Sequence, residues 1–335
     1  MQSLHFSIYI LFFLIALALL FDFMSGYQDA AQSIATVVST GVLKPYSAVI
    51  MAAVFNVGAY LVFDLHVAKT VGLQTINTAV VDQHVVFGAL VGAITLNIVT
   101  WYYGIPSSST HALIGSLVGA TVAKAGVTSL VASGLLKTVA FIILAPLLGF
   151  ALGSFLMLVV AWTFVKTPLR TADKMLRSLQ MVSAALYSLG HGGNNAQKTM
   201  GVIWMLLIAA GSQSAAEDLP SWVVISCYVT IGLGTLFGGW RVVRTMGQKI
   251  TKLRPAGGFC AEAGGAATLF LATAMGIPVS TTHTITGAII GVGSTTKLSA
   301  VRWGVAGNIV WAWILTIPAS AFMAAVAWWI GTLIF

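Results

Sequence analysis

Two copies of one polar octapeptide interrupt an otherwise apolar chain. They are Gly104-Ile-Pro-Ser-Ser-Ser-Thr-His111 and Gly276-Ile-Pro-Val-Ser-Thr-Thr-His283. Each is followed by a Gly-rich apolar segment, and Pro146 and Pro318 follow the two copies at the same interval. A half-helix that begins in each octapeptide would aim free N–H groups and its positive dipole end inward, with Ser108, Ser109 and Thr110, or Ser280, Thr281 and Thr282, adding hydroxyl donors. Two such ends facing each other form a site for a tetrahedral oxyanion. Taken singly, a Ser/Thr stretch of this kind caps a helix or packs helix on helix. Its duplication, and its coupling to a second duplicated motif, point to a site.

That second motif is Gly26-Tyr-Gln-Asp-Ala, echoed by Gly192-Gly-Asn-Asn-Ala. Asp29 and Gln32 are three residues apart and share a helix face, with Gln28 beside them. A carboxylate between membrane segments is costly, and its usual use is to hold a cation or a proton; the competing use is to cap a half-helix. Asn194 and Asn195 are its amide counterparts in the second copy. Glu262 and Asp22 are further acids in or beside apolar runs, either ion carriers or residues at the membrane interface. Lys198 either attracts an anion or snorkels to the interface. His111 and His283 occupy matching places and read as hydrogen-bonded packing residues.

The elements that must position these groups are membrane helices. Hydrophobic residues make up 58% of the 335 residues and charged residues 7%, against about 25% charged in a soluble domain. The apolar runs are continuous, unlike the ten-residue alternation of a β-barrel. The net charge of +8 is carried largely by short loops and reads as a topology signal rather than a nucleic-acid surface. Cys227 and Cys260 lack metal or redox spacing. The run at 11–20 has no basic n-region or cleavage site and reads as a first membrane helix. Expected spans cover 4–21, 46–63, 84–103, 137–165, 221–240, 259–276 and 303–335, with a segment too short to cross, ending at Ala123, after the first octapeptide. Asp64–Asp82 is read as a polar connection. Polar breaks are expected at all four motifs. Lys166–Arg177 is a basic loop that divides a first repeat, 1–165, from a second, 179–335, with 166–178 as a cytoplasmic linker. Arg241, Arg244, Lys249, Lys252 and Arg254 form a second basic loop on the same side, with Glu217 and Asp218 opposite. The fold class is therefore all-α integral membrane, built of two homologous repeats. An inverted relation between them, with broken or re-entrant helices at the Ser/Thr motifs, is the arrangement common in secondary transporters.

Four motifs in order resemble the PiT family of inorganic phosphate transporters: Gly26–Thr40, Pro106–His111, His191–Gly201 and Pro278–His283. The resemblance covers nearly the whole chain. It implies inverted repeats, alternating access and symport of inorganic phosphate with sodium or protons, or of a metal–phosphate complex with protons. It places the protein, multi-pass, in a bacterial inner membrane, with no enzyme activity, catalytic residue, cofactor or nucleic-acid partner; its partners are phosphate, a coupling cation and the lipid bilayer, and a homo-oligomer is left open. Carried over, Gln28, Ser108, Ser109, Thr110, Asn194, Ser280, Thr281 and Thr282 bind substrate. Asp29, Gln32, Asn195 and Glu262 serve the coupling ion. The chain departs from the family at Asn195, where Asp is usual, at Gln32, where Asn is usual, at Gln28, where Asn or His is usual, and at Gly41, where many relatives are basic. The neutral Asn195 keeps two alternatives open, an uncoupled anion facilitator and a transporter of sulfate or another oxyanion. A membrane enzyme has no nucleophile–base pair or metal cluster to support it.

Overall fold

The computed structural model describes residues 8–238, Val243, Thr245 and 250–334. Helices dominate it: α1 Ile8–Ser39, α2 Pro45–Gly58, α3 His66–Leu73, α4 Gln83–Tyr102, α5 Ser109–Ala125, α6 Ala132–Thr163, α7 Leu169–Ala209, α8 Ser221–Phe237, α9 Pro255–Ala274, α10 Thr281–Thr296 and α11 Trp303–Ile334. Among the described residues the only β pairing is an isolated bridge between Ile76 and Leu130. Among the described residues, four helices (α1, α4, α6 and α11) are long and apolar enough to cross a membrane alone, and Pro45–Leu61 with His66–Leu73, bent by 83°, makes a fifth if taken as one span. The protein is an integral membrane protein. α6 and α11 present large apolar side chains outward, among them Leu136, Ile143, Phe155, Trp311, Phe322 and Leu333, as lipid-facing helices do.

The two octapeptides fold alike. Gly104 and Gly276 close the preceding helices at φ +66° and +69°, a left-handed conformation that favours glycine. Ile105 and Ile277 then donate back to the carbonyls of Thr100 and Ala272, both at 2.9 Å. The next residues are extended, and Ser108 and Ser280 are N-caps, accepting from the N–H of His111 and His283 at 3.2 Å each. Pro106 and Pro278 thus lie in the extended linker ahead of the cap, where their lack of an N–H costs nothing, rather than in the first helical turn. At 17 and 16 residues, α5 and α10 run about 25 Å, short of the ~30 Å hydrocarbon core.

The other two motifs are not breaks. Gly26–Gln32 lies inside α1 and Gly192–Asn195 inside the 41-residue α7, both continuous helices. The polar side chains leave these helices sideways into the protein, so the backbone stays paired within the helix and has no need to break. The glycines serve packing instead: a Cβ on Gly26 would lie 2.3 Å from the Ile231 carbonyl oxygen, and one on Gly192 2.4 Å from that of Asn56.

Three smaller expectations also change. The connection from Asp64 to Asp82 contains α3 and a 3-10 turn at Thr78–Val80. The basic segment after Lys166 is a tight turn at 164–168, and Arg170, Lys174 and Arg177 sit on the first turns of α7, where Arg177 pairs with Asp173 at 2.7 Å. In the second basic stretch, Lys252 and Arg254 are described, whereas Arg241, Arg244 and Lys249 lie outside the described residues.

Packing between the halves is reciprocal. α5 lies against α11, with Gly115 facing Ile317 and Ser320, and Gly119 facing Ala321; α10 lies against α6, with Gly287 facing Pro146 and Gly291 facing Phe150. In each pair a short helix of one half seats its glycines on the proline-containing helix of the other. The same exchange joins α1 to α8 and α7 to α2 and α3. Two apolar cores result, one around α3, α4 and the C-terminal part of α7, the other around α9, α10 and the N-terminal part of α7.

Candidate functional site

The N-terminal ends of α5 and α10 meet at the junction of the halves. Thr110 donates to the carbonyl of Val279 at 2.9 Å, and Thr282 donates to the carbonyl of Ser107 at 3.0 Å. Each bond runs from the second residue of one helix to the residue just ahead of the other helix's cap, so the two ends are bound by the same contact made twice. Beside them the rings of His111 and His283 are 4.3 Å apart, edge to face, and His283 stacks on Trp313 at 3.6 Å. The expectation of packing histidines holds: both rings pack on aromatic faces.

α1 and α7 bring the remaining groups to this junction. One carboxylate oxygen of Asp29 accepts from Gln32 at 2.6 Å; the other accepts from Ser109 and, at 3.1 Å, from Asn195. Gln32 ties the carboxylate to the α10 end, donating to Thr282 and accepting from Thr281. Gln28 donates to Thr100 at 3.1 Å and to Ser107 at 3.0 Å. Asn194 braces the extended linker ahead of α10, donating to the Ile277 carbonyl at 3.1 Å and accepting from the Val279 N–H at 3.1 Å. Every one of these side chains is buried, so the site is occluded.

Lys198 resolves into one of its two readings. It does not snorkel: it is 2% exposed. Its ammonium donates to Thr110, to Asn195 and, at 2.9 Å, to the Val279 carbonyl. Its three acceptors are neutral oxygens at the junction of α5 and α10. Asn195 therefore uses its amide in both senses. Its oxygen takes the ammonium, while its nitrogen faces Asp29 and the Nε2 of His191 at 2.9 Å. His191 Nδ1 then donates to the Asn56 side-chain oxygen at 3.1 Å, which fixes the ring's neutral tautomer.

Glu262 is not at this junction. It is fully buried, not interfacial, and accepts from Thr36, from Ser183 at 2.7 Å and from Gln180 at 3.3 Å. Thr36 lies one helical turn beyond Gln32 on α1, so the two clusters are neighbours on one helix. Between them stands Tyr187, buried, whose hydroxyl donates to the Thr281 carbonyl at 2.9 Å. Tyr187, Gln180 and Thr36 were missed in the sequence. The available signal was the spacing of Gln180, Ser183, Tyr187, His191, Asn195 and Lys198, which recurs every three or four residues and so draws one polar stripe down α7.

The arrangement can hold an oxyanion and a cation together: two helix N-terminal ends, a buried ammonium and many hydroxyls for the one, a carboxylate and amide oxygens for the other. A model of the PHO4 phosphate transporter family matches residues 25–324, a span that takes in all four motifs. The chain belongs to the phosphate transporter family. Among its relatives, a protein of Rhizobium meliloti (strain 1021) named "Probable low-affinity inorganic phosphate transporter" is 59% identical over 321 residues, 96% of each chain. One of the same name from Bacillus subtilis (strain 168) is 44% identical over 320 residues, 95% of this chain and 96% of that one. A solved structure named "The sodium-dependent phosphate transporter" superposes with a TM-score of 0.86 at 23% identity, over 98% of this chain and 100% of that one. This likeness shows that the fold is that of a phosphate transporter. The family's relatives are named as transporters and not as enzymes.

Proposed function

We propose that the chain carries inorganic phosphate across a bacterial plasma membrane by alternating access, in symport with sodium or protons. The observation that supports this best is the doubled contact of Thr110 and Thr282 across the half-helix ends, with the Lys198 ammonium seated between them. In this reading residues 1–165 and 179–335 are inverted repeats flanking a linker at 166–178, and α5 and α10 are the inner halves of broken or re-entrant helices. Gln28, Ser108–Thr110, Asn194 and Ser280–Thr282 donate to phosphate oxygens when the two ends part. Charge-assisted bonds from Lys198 hold the anion more strongly than neutral donors do. Asp29, with the side-chain oxygens of Gln32 and Asn195, takes the coupling cation, and Glu262 serves the same ion from the neighbouring cluster. The cation and the anion thus bind side by side, so each lowers the cost of burying the other. The solved relative's name supports sodium as the ion to test first.

The test is labelled phosphate uptake into proteoliposomes under an imposed sodium gradient, an imposed proton gradient, and neither, with unlabelled arsenate or sulfate as competitor. Concentrative uptake under one gradient, blocked by arsenate and not by sulfate, is expected. Uptake that only equilibrates in all three conditions refutes coupling and leaves a facilitator. Better competition by sulfate refutes the anion.

A further inference from the structure

α1 carries another buried acid that the site above does not use. Asp22 lies two turns before Asp29 on the same face, about 10 Å along the axis, and is fully buried. One of its oxygens accepts from Thr199 of α7 at 2.8 Å; the other has no partner among the described residues. One turn further on, Ser25 is 3% exposed and its hydroxyl is also without a partner. Facing this part of α1 is α4. The ring contacts Phe13–Phe87 and Tyr27–Trp101 lie the same number of residues apart on both helices, so α1 and α4 run parallel and in step. That register sets Asn97 level with Asp22 to Ser25 but against the opposite face of α1, because Phe13 and Tyr27, which touch α4, lie about half a turn round the helix from Asp22. Asn97 is fully buried, and neither its amide oxygen nor its amide nitrogen has a partner.

The side of α1 turned toward α7 therefore holds two buried side chains with unpaired polar atoms, Asp22 and Ser25. Native interiors pair nearly all such atoms, and a buried carboxylate with no opposite charge in contact is the costliest exception. The charged and titratable groups that face Asp22 are few. From α7 there is Lys198, within electrostatic reach of Asp22 and Asp29 alike, but its ammonium is committed to Thr110, Asn195 and Val279. From α8 there are Cys227 and Tyr228. α4 supplies none at this level, and the titratable groups of α9 and α10, Glu262 and His283 among them, pack near the far end of α1. With Asn195 neutral, Asp22 supplies the second negative charge near Lys198.

We infer that Asp22, Ser25 and Thr199 form a second cation site, filled once per transport cycle and in series with Asp29. The inference rests on the coupled-transport reading above. The donor set is a carboxylate and two hydroxyls, all oxygen, which suits a hard cation. A proton on the unpaired oxygen of Asp22 meets the same need, turning it into a donor toward Ser25. Either way the cation neutralises the carboxylate while α1 moves relative to α4 and α7, and leaves when the site opens.

The full-length protein in proteoliposomes tests this. The ratio of cations to phosphate is read from the membrane potential that nulls net flux, and the half-saturating cation concentration from initial rates. In one arm sodium is varied at fixed pH; in the other pH is varied at fixed sodium. Asp22→Asn is expected to lower the ratio by one in a single arm, which names the ion, and Asp22→Glu to restore it. Thr199→Val and Ser25→Ala are expected to raise the half-saturating concentration of that ion at least threefold with the ratio kept. A folded Asp22→Asn protein with wild-type ratio and half-saturation in both arms overturns the inference while coupled transport stands. Should Asp22→Asn fail to fold, unchanged half-saturation in Thr199→Val and Ser25→Ala overturns it equally. Wild-type protein that shows no coupling in either arm removes the parent reading and this one with it.

Discussion

At the scale of single residues, Asn195 and Lys198 carry most of the consequence. Lys198 reaches three neutral oxygens with one charge, and hydrogen bonds to a charged group are worth about 1.5–3 kcal/mol each. Lys198→Met leaves Thr110, Asn195 and the Val279 carbonyl without that donor, and is expected to reduce phosphate uptake by about tenfold or more at sub-saturating phosphate. Uptake within twofold of wild type would exclude Lys198 from the anion site. Asn195→Asp acts differently. It replaces a donor 3.1 Å from Asp29 with an acceptor, so two carboxylates face each other and one needs a proton or a metal cation between them. The expected outcome is a cation dependence of uptake that is shifted severalfold in half-saturation, measured at fixed phosphate; an unchanged dependence would place the coupling ion away from Asp29. Both residues were visible in the sequence as types out of place in an apolar chain. What the sequence left open was direction: whether Lys198 reached inward or toward the interface depended on which stripe of α7 faced α5 and α10, a tertiary fact.

At the scale of elements, the Ser/Thr motifs were legible because their chemistry is local. A glycine closing one helix, an extended proline dipeptide and a serine cap each leave a mark in the sequence, and α5 and α10 begin where those marks lie. The GlyXGlnAsp and GlyXAsnAsn motifs misled because glycine beside polar residues suggests a break, whereas here the glycines admit a neighbouring backbone. That distinction yields a paired test. A Cβ on Gly287 would lie 2.1 Å from the Pro146 carbonyl oxygen, but one on Gly307 meets nothing within 4 Å. Gly287→Ala is expected to cost about 1–3 kcal/mol, lowering the melting temperature in detergent and weakening phosphate binding because the α10 end shifts. Gly307→Ala is expected to be neutral or stabilising by up to about 1 kcal/mol. Equal effects would refute the packing role. The loop ahead of α4 gives a pH test. Burial raises the Asp82 carboxyl, but the Lys124 ammonium at 2.7 Å, the Val85 N–H and the nearby His84 outweigh burial and hold it below the usual carboxylate range. A depressed folded value stabilises above the unfolded value of about 3.9, and this stability is lost as pH falls through the folded value. Asp82→Asn keeps a capping residue and removes the charge. It is expected to cost about 0.5–1 kcal/mol at pH 7 and progressively less below pH 4; a deficit that persists at acid pH would mean the cap rather than the charge was lost.

At the scale of the whole molecule, the two halves are completed by each other. α5 finds its glycine seat on α11, α10 on α6, α1 on α8 and α7 on α2 and α3, so each half alone would expose the small-residue faces that the other covers. Small residues drive helix association in lipid only when an opposing backbone is close enough to fill the groove. The duplicated prolines and glycines suggested a repeat in the sequence, but the exchange of partners did not show there, because an internal repeat is equally compatible with two halves that each close on themselves. The exchange also fits the proposed alternating access: contacts between halves are the ones a rocking motion would remake, and here those contacts include the N-terminal ends of α5 and α10. A chain cut in the exposed turn at 164–168 distinguishes the two arrangements. Residues 1–165 and 166–335 expressed separately are each expected to be protease-sensitive and inactive, while co-expression restores a protease-resistant complex and a measurable part of phosphate uptake. Either fragment folding to a resistant, monodisperse species alone would mean that the halves are self-contained bodies, and the proposed alternating motion would then have to be sought within each half rather than between them.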